Sequence, residues 1–258
     1  MALSLSLGLQ EGSPQYYVFV SLSVVGAISI LGSFARLLGW LWRHFLRPAK
    51  TLSRYGSWAL ITGCTDGIGK AYAFLLAKHR INLILVGRSK EKLDTLVSEI
   101  KERSGDVKVK TVVLDLTHPD LETGLSTIKQ LVSELDVGIL INSAGLSYPY
   151  ARFFHEVDEE LTKNLLRMNV EAIVRMVQIV LPGMIERKRG AIINIGSGAS
   201  SILPSEPLYA LYAATKGYVF PPTSFSFGLY ACPYPYFLCY ECPFCILFSF
   251  FMYVHLDP

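Results

Sequence analysis

The apolar run Trp58-Ala59-Leu60-Ile61 passes without a break into Thr62-Gly63-Cys64-Thr65-Asp66-Gly67-Ile68-Gly69, and this join constrains the fold more than any other feature. It reads as a buried strand, a tight turn and the opening of a helix over about 68–78. In that setting Gly63 makes the turn, Gly67 lets the backbone approach a pyrophosphate, and Gly69 lets the helix pack closely on the strand. The helix N-terminus then presents free N–H groups to phosphate. With Thr62, Thr65, Asp66 and Ile68 these glycines form the first candidate cofactor-binding turn.

The chain continues in the same alternation. Apolar runs at 82–86, 107–116, 137–141 and 191–195 read as further strands. Residues 91–102 carry Leu93, Leu96, Val97 and Ile100 at helical spacing, and a long helical stretch covers about 158–187. Strand–helix alternation with continuously apolar strands predicts an α/β fold, a doubly wound parallel sheet covered on both faces. After the second strand comes Gly87-Arg88-Ser89, where an acid would be expected to read free ribose hydroxyls. An arginine suits a 2′-phosphate instead, so Arg88 favours NADPH over NADH; the plain alternative is a solvated loop arginine.

Downstream, Tyr212-Ala213-Ala214-Thr215-Lys216 sets a phenol and an amine one helical turn apart. An unperturbed phenol, with a pKa near ~10, is a poor proton donor at neutral pH. An ammonium on the same helix face favours the phenolate and eases proton transfer. Alone the pair is an ordinary helix contact; behind a nucleotide-binding turn it suggests carbonyl reduction. Tyr209 is a nearby tyrosine whose fourth following residue is Ala213, so it lacks a lysine partner. His155 reads as a surface or substrate-loop residue.

Both ends of the chain are unusually apolar. Hydrophobic residues make up 51% of the 258, and the mean hydropathy of +0.37 is high for a soluble enzyme. No charged residue occurs from Gly12 to Ala35. About twenty such residues cross a ~30 Å hydrocarbon layer. Residues 1–15 are expected on the lumenal side, 16–36 as a transmembrane anchor, and 37–56 as a basic linker carrying Arg36's neighbours Arg43, Arg47, Lys50 and Arg54, with 37–45 read either as a continuing amphipathic helix at the surface or as part of that linker. The positive residues place the C-terminal side in the cytosol, and the lack of Lys or Arg before Gln15 speaks against a cleaved leader. A net charge of +3 makes no case for nucleic acid.

The order Thr-Gly-x-x-x-Gly-Ile-Gly then Tyr-x-x-x-Lys resembles the short-chain dehydrogenase/reductase family over about 57–218. The resemblance assigns Asp115-Leu116 to the adenine side. It equates Asn142-Ser143-Ala144-Gly145 with the family's Asn-Asn-Ala-Gly turn, and it places Asn142, Ala144 and Gly145 at the cofactor. It implies Ser197, Tyr212, Lys216 and Asn169 as the catalytic set, with Tyr212 and Lys216 also touching the cofactor. Ser197 would position the keto oxygen and Tyr212 protonate it. Lys216 would assist the tyrosine and hold the nicotinamide ribose, and Asn169 would hold a water linking Lys216 to solvent. Ser197 lies 15 residues before Tyr212, a little farther than is usual, which leaves Ser200 or Ser201 as alternatives. Leu181-Pro182-Gly183-Met184, the stretch 147–157 and the anchor resemble the very-long-chain 3-oxoacyl-CoA reductases of the endoplasmic reticulum, related to 17β-hydroxysteroid dehydrogenase type 12, plant members above all. That implies NADPH-dependent reduction of 3-oxoacyl-CoA in fatty-acid elongation, with elongase subunits as further partners. A hydroxysteroid-type oxidoreductase or a catalytically silent membrane protein are the alternatives.

From 219 the resemblance stops. Pro221-Pro222 should end the catalytic helix about one turn after Lys216, and 219–258 is dense in Phe, Tyr, Cys and Pro. This tail reads as aberrant, out-of-frame or intron-derived translation. It would leave the sheet incomplete at its C-terminal end with an exposed edge. Cys239-x-x-Cys242-x-x-Cys245 lacks a fourth ligand of suitable setting, so no metal is expected. A short second membrane span over 245–256 is conceivable.

Overall fold

The computed structural model describes residues 12–46, 51–200, 206–218 and 251–256. It divides into two units, Met1–Lys50 and Thr51–Pro258.

The first unit is built on helix α1, Pro14–Leu41. Ser13 caps it, accepting the Tyr16 N–H at 3.2 Å, and Pro14 follows at the position where a missing N–H costs nothing. None of its side chains is buried, and its mean hydropathy of 2.1 makes it a candidate membrane span. The helix is longer than the expected 16–36 span. Nothing in Leu37-Leu38-Gly39-Trp40-Leu41 stops it, and it runs on through a π-helical turn, Trp42–Leu46. Arg36 folds back along it, donating to the Gly32 carbonyl at 3.2 Å and the Ser33 hydroxyl at 3.3 Å.

The second unit is a sheet with helices on both faces. Its elements are β1 (Trp58–Thr62), α2 (Gly67–Lys78), β2 (Asn82–Gly87), α3 (Lys90–Arg103), β3 (Val109–Val113), α4 (Glu122–Glu134), β4 (Val137–Asn142), α5 (Glu159–Leu166), α6 (Ala172–Glu186), β5 (Gly190–Ile195), α7 (Ala210–Tyr218) and β6 (Phe251–Leu256). The strand order is β3-β2-β1-β4-β5-β6. The first five strands run parallel. Alternate residues feed two cores: Ala59, Ile61, Leu83 and Leu85 meet α2 and α3, while Leu60, Ile84 and Leu140 meet α4 and α6. The direction of winding reverses between β1 and β4, so a crevice opens beyond Thr62 and Asn142, where doubly wound sheets bind ligands.

Four details depart from the sequence-based expectation. α4 was not anticipated, although Leu125, Ile128 and Val132 are its buried stripe. β3 ends at Val113: the Leu114 N–H still bonds the Gly87 carbonyl, and the chain then turns on Asp115, whose carboxylate accepts from Thr117. The long helix is interrupted by a π-helical turn, Arg167–Glu171, which turns Asn169 fully inward. Finally, the β5 edge is not bare. Residues 251–256 pair antiparallel with it, from Gly190 opposite Leu256 to Ile195 opposite Phe251. That pairing replaces the exposed edge and places half of the conceivable 245–256 span in a strand. The four tail cysteines lie outside the described residues.

The folded unit also begins earlier than residue 57. Tyr55 is 2% exposed and belongs to the core under α2. Gly138 is skipped in the β1–β4 register, where Trp58 faces Val137 and Ala59 faces Ile139. A methyl group on this bulge residue would overlap the Tyr55 carbonyl. Gly138→Ala is therefore expected to lower the unfolding free energy by about 1–3 kcal/mol. A thermal unfolding midpoint unchanged from the parent would contradict the contact.

Candidate active site

The glycine turn lies at the switch point and touches the exit of β4. Gly63 has φ +64°, and a Cβ there would stand 2.6 Å from the Ala144 Cα. A Cβ on Gly69 would strike the Gly63 carbonyl, so helix and turn pack backbone to backbone. Thr62 Oγ1 accepts the Ala144 N–H at 3.3 Å, a second tie between the two segments. Gly67 has φ +52° and open space where a side chain would be. Asp66 caps α2, its Oδ1 accepting the Gly67 N–H at 2.7 Å. Thr65 and Ile68 flank this cap half-buried. Cys64 points into the core, where burial pushes its thiol up to about 12.

Arg88 and Asp115 end adjacent strands on the same rim, both exposed. The Thr117 N–H and hydroxyl, at 2.9 and 2.7 Å, hold the Asp115 carboxyl below its ordinary value, and the Arg88 charge adds to this. Leu116 instead enters the core. Asn142 is buried at the end of β4. Its amide donates to Asn194 Oδ1 at 2.8 Å and ties β4 to β5, while its own Oδ1 is buried without a partner. The crevice-facing part of that turn is Ala144 and Gly145. This rim, a backbone cradle that a Cβ would fill, beside a helix N-terminus and an exposed arginine, fits a phosphorylated dinucleotide.

α7 carries the reactive pair. Lys216 is 4% exposed and donates to the Ile195 carbonyl at 3.1 Å. Burial lowers its pKa to about 8. Tyr212 is half-buried one turn earlier. Asn169 is 0% exposed and fully engaged: its Oδ1 accepts the Leu146 N–H at 2.9 Å, and its Nδ2 donates to the Leu146 carbonyl and to Thr215 Oγ1 at 2.9 and 3.0 Å. Thr215 in turn donates to the Tyr212 carbonyl at 2.8 Å. Asn169 thus clamps the loop after β4 to α7. A Cβ on Gly145 would lie 3.0 Å from Lys216 Nζ and 3.6 Å from Asn169 Oδ1, so glycine keeps that approach open.

Ser197 follows β5 directly, its Oγ accepting the Ala199 N–H at 3.3 Å. Ser200 donates its hydroxyl to the Ser197 carbonyl at 2.8 Å, and a Cβ on Gly217 of α7 would lie 3.8 Å from the Ser200 Cβ. Ser201 lies outside the described residues. His155 stacks on Phe153 in an exposed turn. Two residues of the site went unnoticed in the sequence, Thr215 and Tyr148. Tyr148 Oη accepts the Leu211 N–H at 3.2 Å.

Sheet order, glycine turn and a Tyr–Lys helix beside the switch point together define a dinucleotide-binding fold. Residues 57–221 match the short chain dehydrogenase family model. The chain belongs to the short-chain dehydrogenase family. It is 44% identical over 212 residues to a very-long-chain 3-oxoacyl-CoA reductase-like protein of Arabidopsis thaliana, covering 82% of this chain and 66% of that one. It is 45% identical over 166 residues to the human very-long-chain 3-oxoacyl-CoA reductase, covering 64% and 51%. The chain therefore spans between half and two thirds of these relatives' length. Among solved structures it resembles a Sphingobium yanoikuyae short-chain dehydrogenase in complex with NADPH, with a TM-score of 0.56, 34% identity and coverage of 62% and 61%.

The buried amine has a consequence for stability. In the unfolded chain Lys216 keeps its ordinary value of 10.5, against about 8 in the fold. Between those values the unfolded chain holds a proton that the folded chain has lost, so stability rises with pH there; below about pH 8 the cost of burying the charge is present in full. That cost is roughly 3 kcal/mol. Lys216→Met removes it but forfeits a hydrogen bond worth about 1 kcal/mol. The unfolding midpoint of Lys216→Met is expected to exceed the parent's by several degrees at pH 7, the gap closing toward pH 10. A variant less stable than the parent at pH 7 would overturn this account.

Proposed function

We propose that this chain is a membrane-anchored, NADPH-dependent 3-oxoacyl-CoA reductase of very-long-chain fatty-acid elongation. The observation that carries the reading is the Tyr212–Lys216 pair, clamped through Asn169 beside a dinucleotide crevice, in a chain whose relatives bear that reductase's name. Ser197 donates a hydrogen bond to the substrate's keto oxygen and orients it. Tyr212 delivers a proton to the same oxygen. Lys216, buried yet still an ammonium at neutral pH with its pKa lowered to about 8, supports proton loss from Tyr212 and reaches the cofactor ribose; Gly145 keeps the path to it free. Asn169 holds α7 at the correct depth. Bound NADPH supplies the hydride. Arg88 recognises the 2′-phosphate, with the backbone of Gly63, Gly67 and Gly69 along the pyrophosphate and Asp115 toward the adenine.

In this reading α1 anchors the protein in the endoplasmic-reticulum membrane. The unit from Thr51 faces the cytosol, where acyl-CoA and NADPH are found and where other elongase subunits can meet it.

The test is oxidation of NADPH, dependent on 3-oxoacyl-CoA, by sealed microsomes bearing the full chain, with membrane-impermeant cofactor added outside. Turnover is expected, reduced at least ~100-fold in Tyr212→Phe. No turnover from protein present in the membrane would sink the proposal; turnover only after permeabilisation would reverse the orientation. Arg88→Ala should raise KM for NADPH about 10-fold, the loss of one charge-assisted bond, and leave KM for NADH within about twofold. Equal effects on the two cofactors would remove Arg88 from phosphate recognition.

A further inference from the structure

We propose that Tyr148 is a positioning residue for Tyr212. The loop after β4 grips the catalytic helix at two points. One is Asn169, which joins Leu146 of the loop to Thr215. The other is Tyr148, two residues further along, and nothing in the proposed reaction accounts for it.

Tyr148 is 6% exposed. Its oxygen accepts the Leu211 N–H at 3.2 Å. Leu211 is the second residue of α7, so its amide is one of those a helix cannot satisfy internally. A side chain from 63 residues earlier therefore caps this helix. Its ring also stacks on Tyr209, with centroids 5.3 Å apart and an interplanar angle of 24°. Tyr209 meets Tyr212 edge to face at 6.4 Å and 71°. A backbone bond from the Arg152 N–H to the Leu208 carbonyl, 3.1 Å, closes the same junction. α7 is a nine-residue helix, too short to be stable by itself. Its N-terminal turn is held by Tyr148, its next turn by Asn169, and the reactive phenol lies between the two grips. Loosening the first lets Tyr212 tilt on its helix, which costs turnover more than binding, because proton transfer tolerates little misplacement.

The inference rests on the reductase reading for its kinetic arm only. The experiment compares the purified full chain with Tyr148→Phe, which keeps the ring and removes the acceptor, and Tyr209→Leu, which keeps the acceptor and removes the stack. Hydrogen exchange is read at Leu211 and in β1 and β4, beside kcat and KM for a 3-oxoacyl-CoA. In Tyr148→Phe, Leu211 should exchange about 10-fold faster with β1 and β4 unchanged, and kcat should fall about 10-fold with KM within about twofold. Tyr209→Leu should lower kcat while Leu211 stays protected. Unaltered Leu211 exchange in Tyr148→Phe, or a kcat that falls only together with protection of β1 and β4, would overturn the proposal and leave Tyr148 an ordinary core aromatic. If the parent chain itself does not turn over, the reductase reading fails, and Leu211 exchange alone then decides whether Tyr148 holds the helix.

Discussion

The contact on which the rest of the site depends has no side chain in it. At Gly63 the glycine turn lies against the backbone of Ala144, and at Gly69 the first turn of α2 lies against the Gly63 carbonyl. Two strands that are neighbours in space but far apart in sequence are thereby brought to one depth at their C-terminal ends, Thr62 opposite Asn142. The Thr62 hydroxyl then ties Ala144 in place. Any Cβ at these positions would push the β4 exit away from the phosphate cradle, and with it the loop that reaches α7. The glycine turn and the Tyr212–Lys216 pair are thus linked through one backbone contact at the β4 exit.

Buried polar groups carry that placement across the sheet. Asn142 and Asn194 join β4 to β5, Asn169 joins the β4 loop to α7, and Lys216 joins α7 back to the end of β5. Each would be costly to bury alone. Together they form a closed circuit from β4 through the loop and the helix to β5, in which every bond fixes an element bearing a functional residue. Lys216 is the costly member, since its burial opposes its own charge. A buried ammonium whose pKa is pulled down toward neutrality is the kind of local cost that functional sites retain.

Much of this was legible in the sequence, and the boundary follows the range of the interactions. The five parallel strands, the glycine turn and the Tyr212–Lys216 spacing are local patterns of period two, of turn chemistry, or of one helical turn. α4 was missed because its polar face, with Thr123, Ser126, Thr127, Lys129 and Gln130, dominates the composition around three buried residues. The π-helical turn at Arg167–Glu171 leaves no mark on an apolar periodicity that continues through it. The motif marks Asn142 and Leu116 but does not reveal that their side chains also tie β4 to β5 and pack in the core. Tyr148 and Thr215 could not be found at all. Both stand within stretches that the motifs single out, but their significance lies in partners 63 and 46 residues away.

The two open flanks of the second unit differ in what they require. The free edge of β5 needs only backbone partners, and a strand of β-prone residues such as Phe-Met-Tyr-Val-His-Leu at 251–256 can supply them antiparallel to it. Pairing of this kind is tolerant of sequence, so closure of the edge carries no information about chemistry. A reactive helix is more demanding, since its residues must be held to a fraction of an ångström by particular side chains. Among the described residues, side chains that hold α7 include Tyr148 and Asn169, both earlier in the chain. The segment that covers the edge and the segments that position the reactive phenol are therefore separate parts of the chain. A change in the first can leave the second intact, and the geometry around Tyr212 stands or falls with the loop after β4.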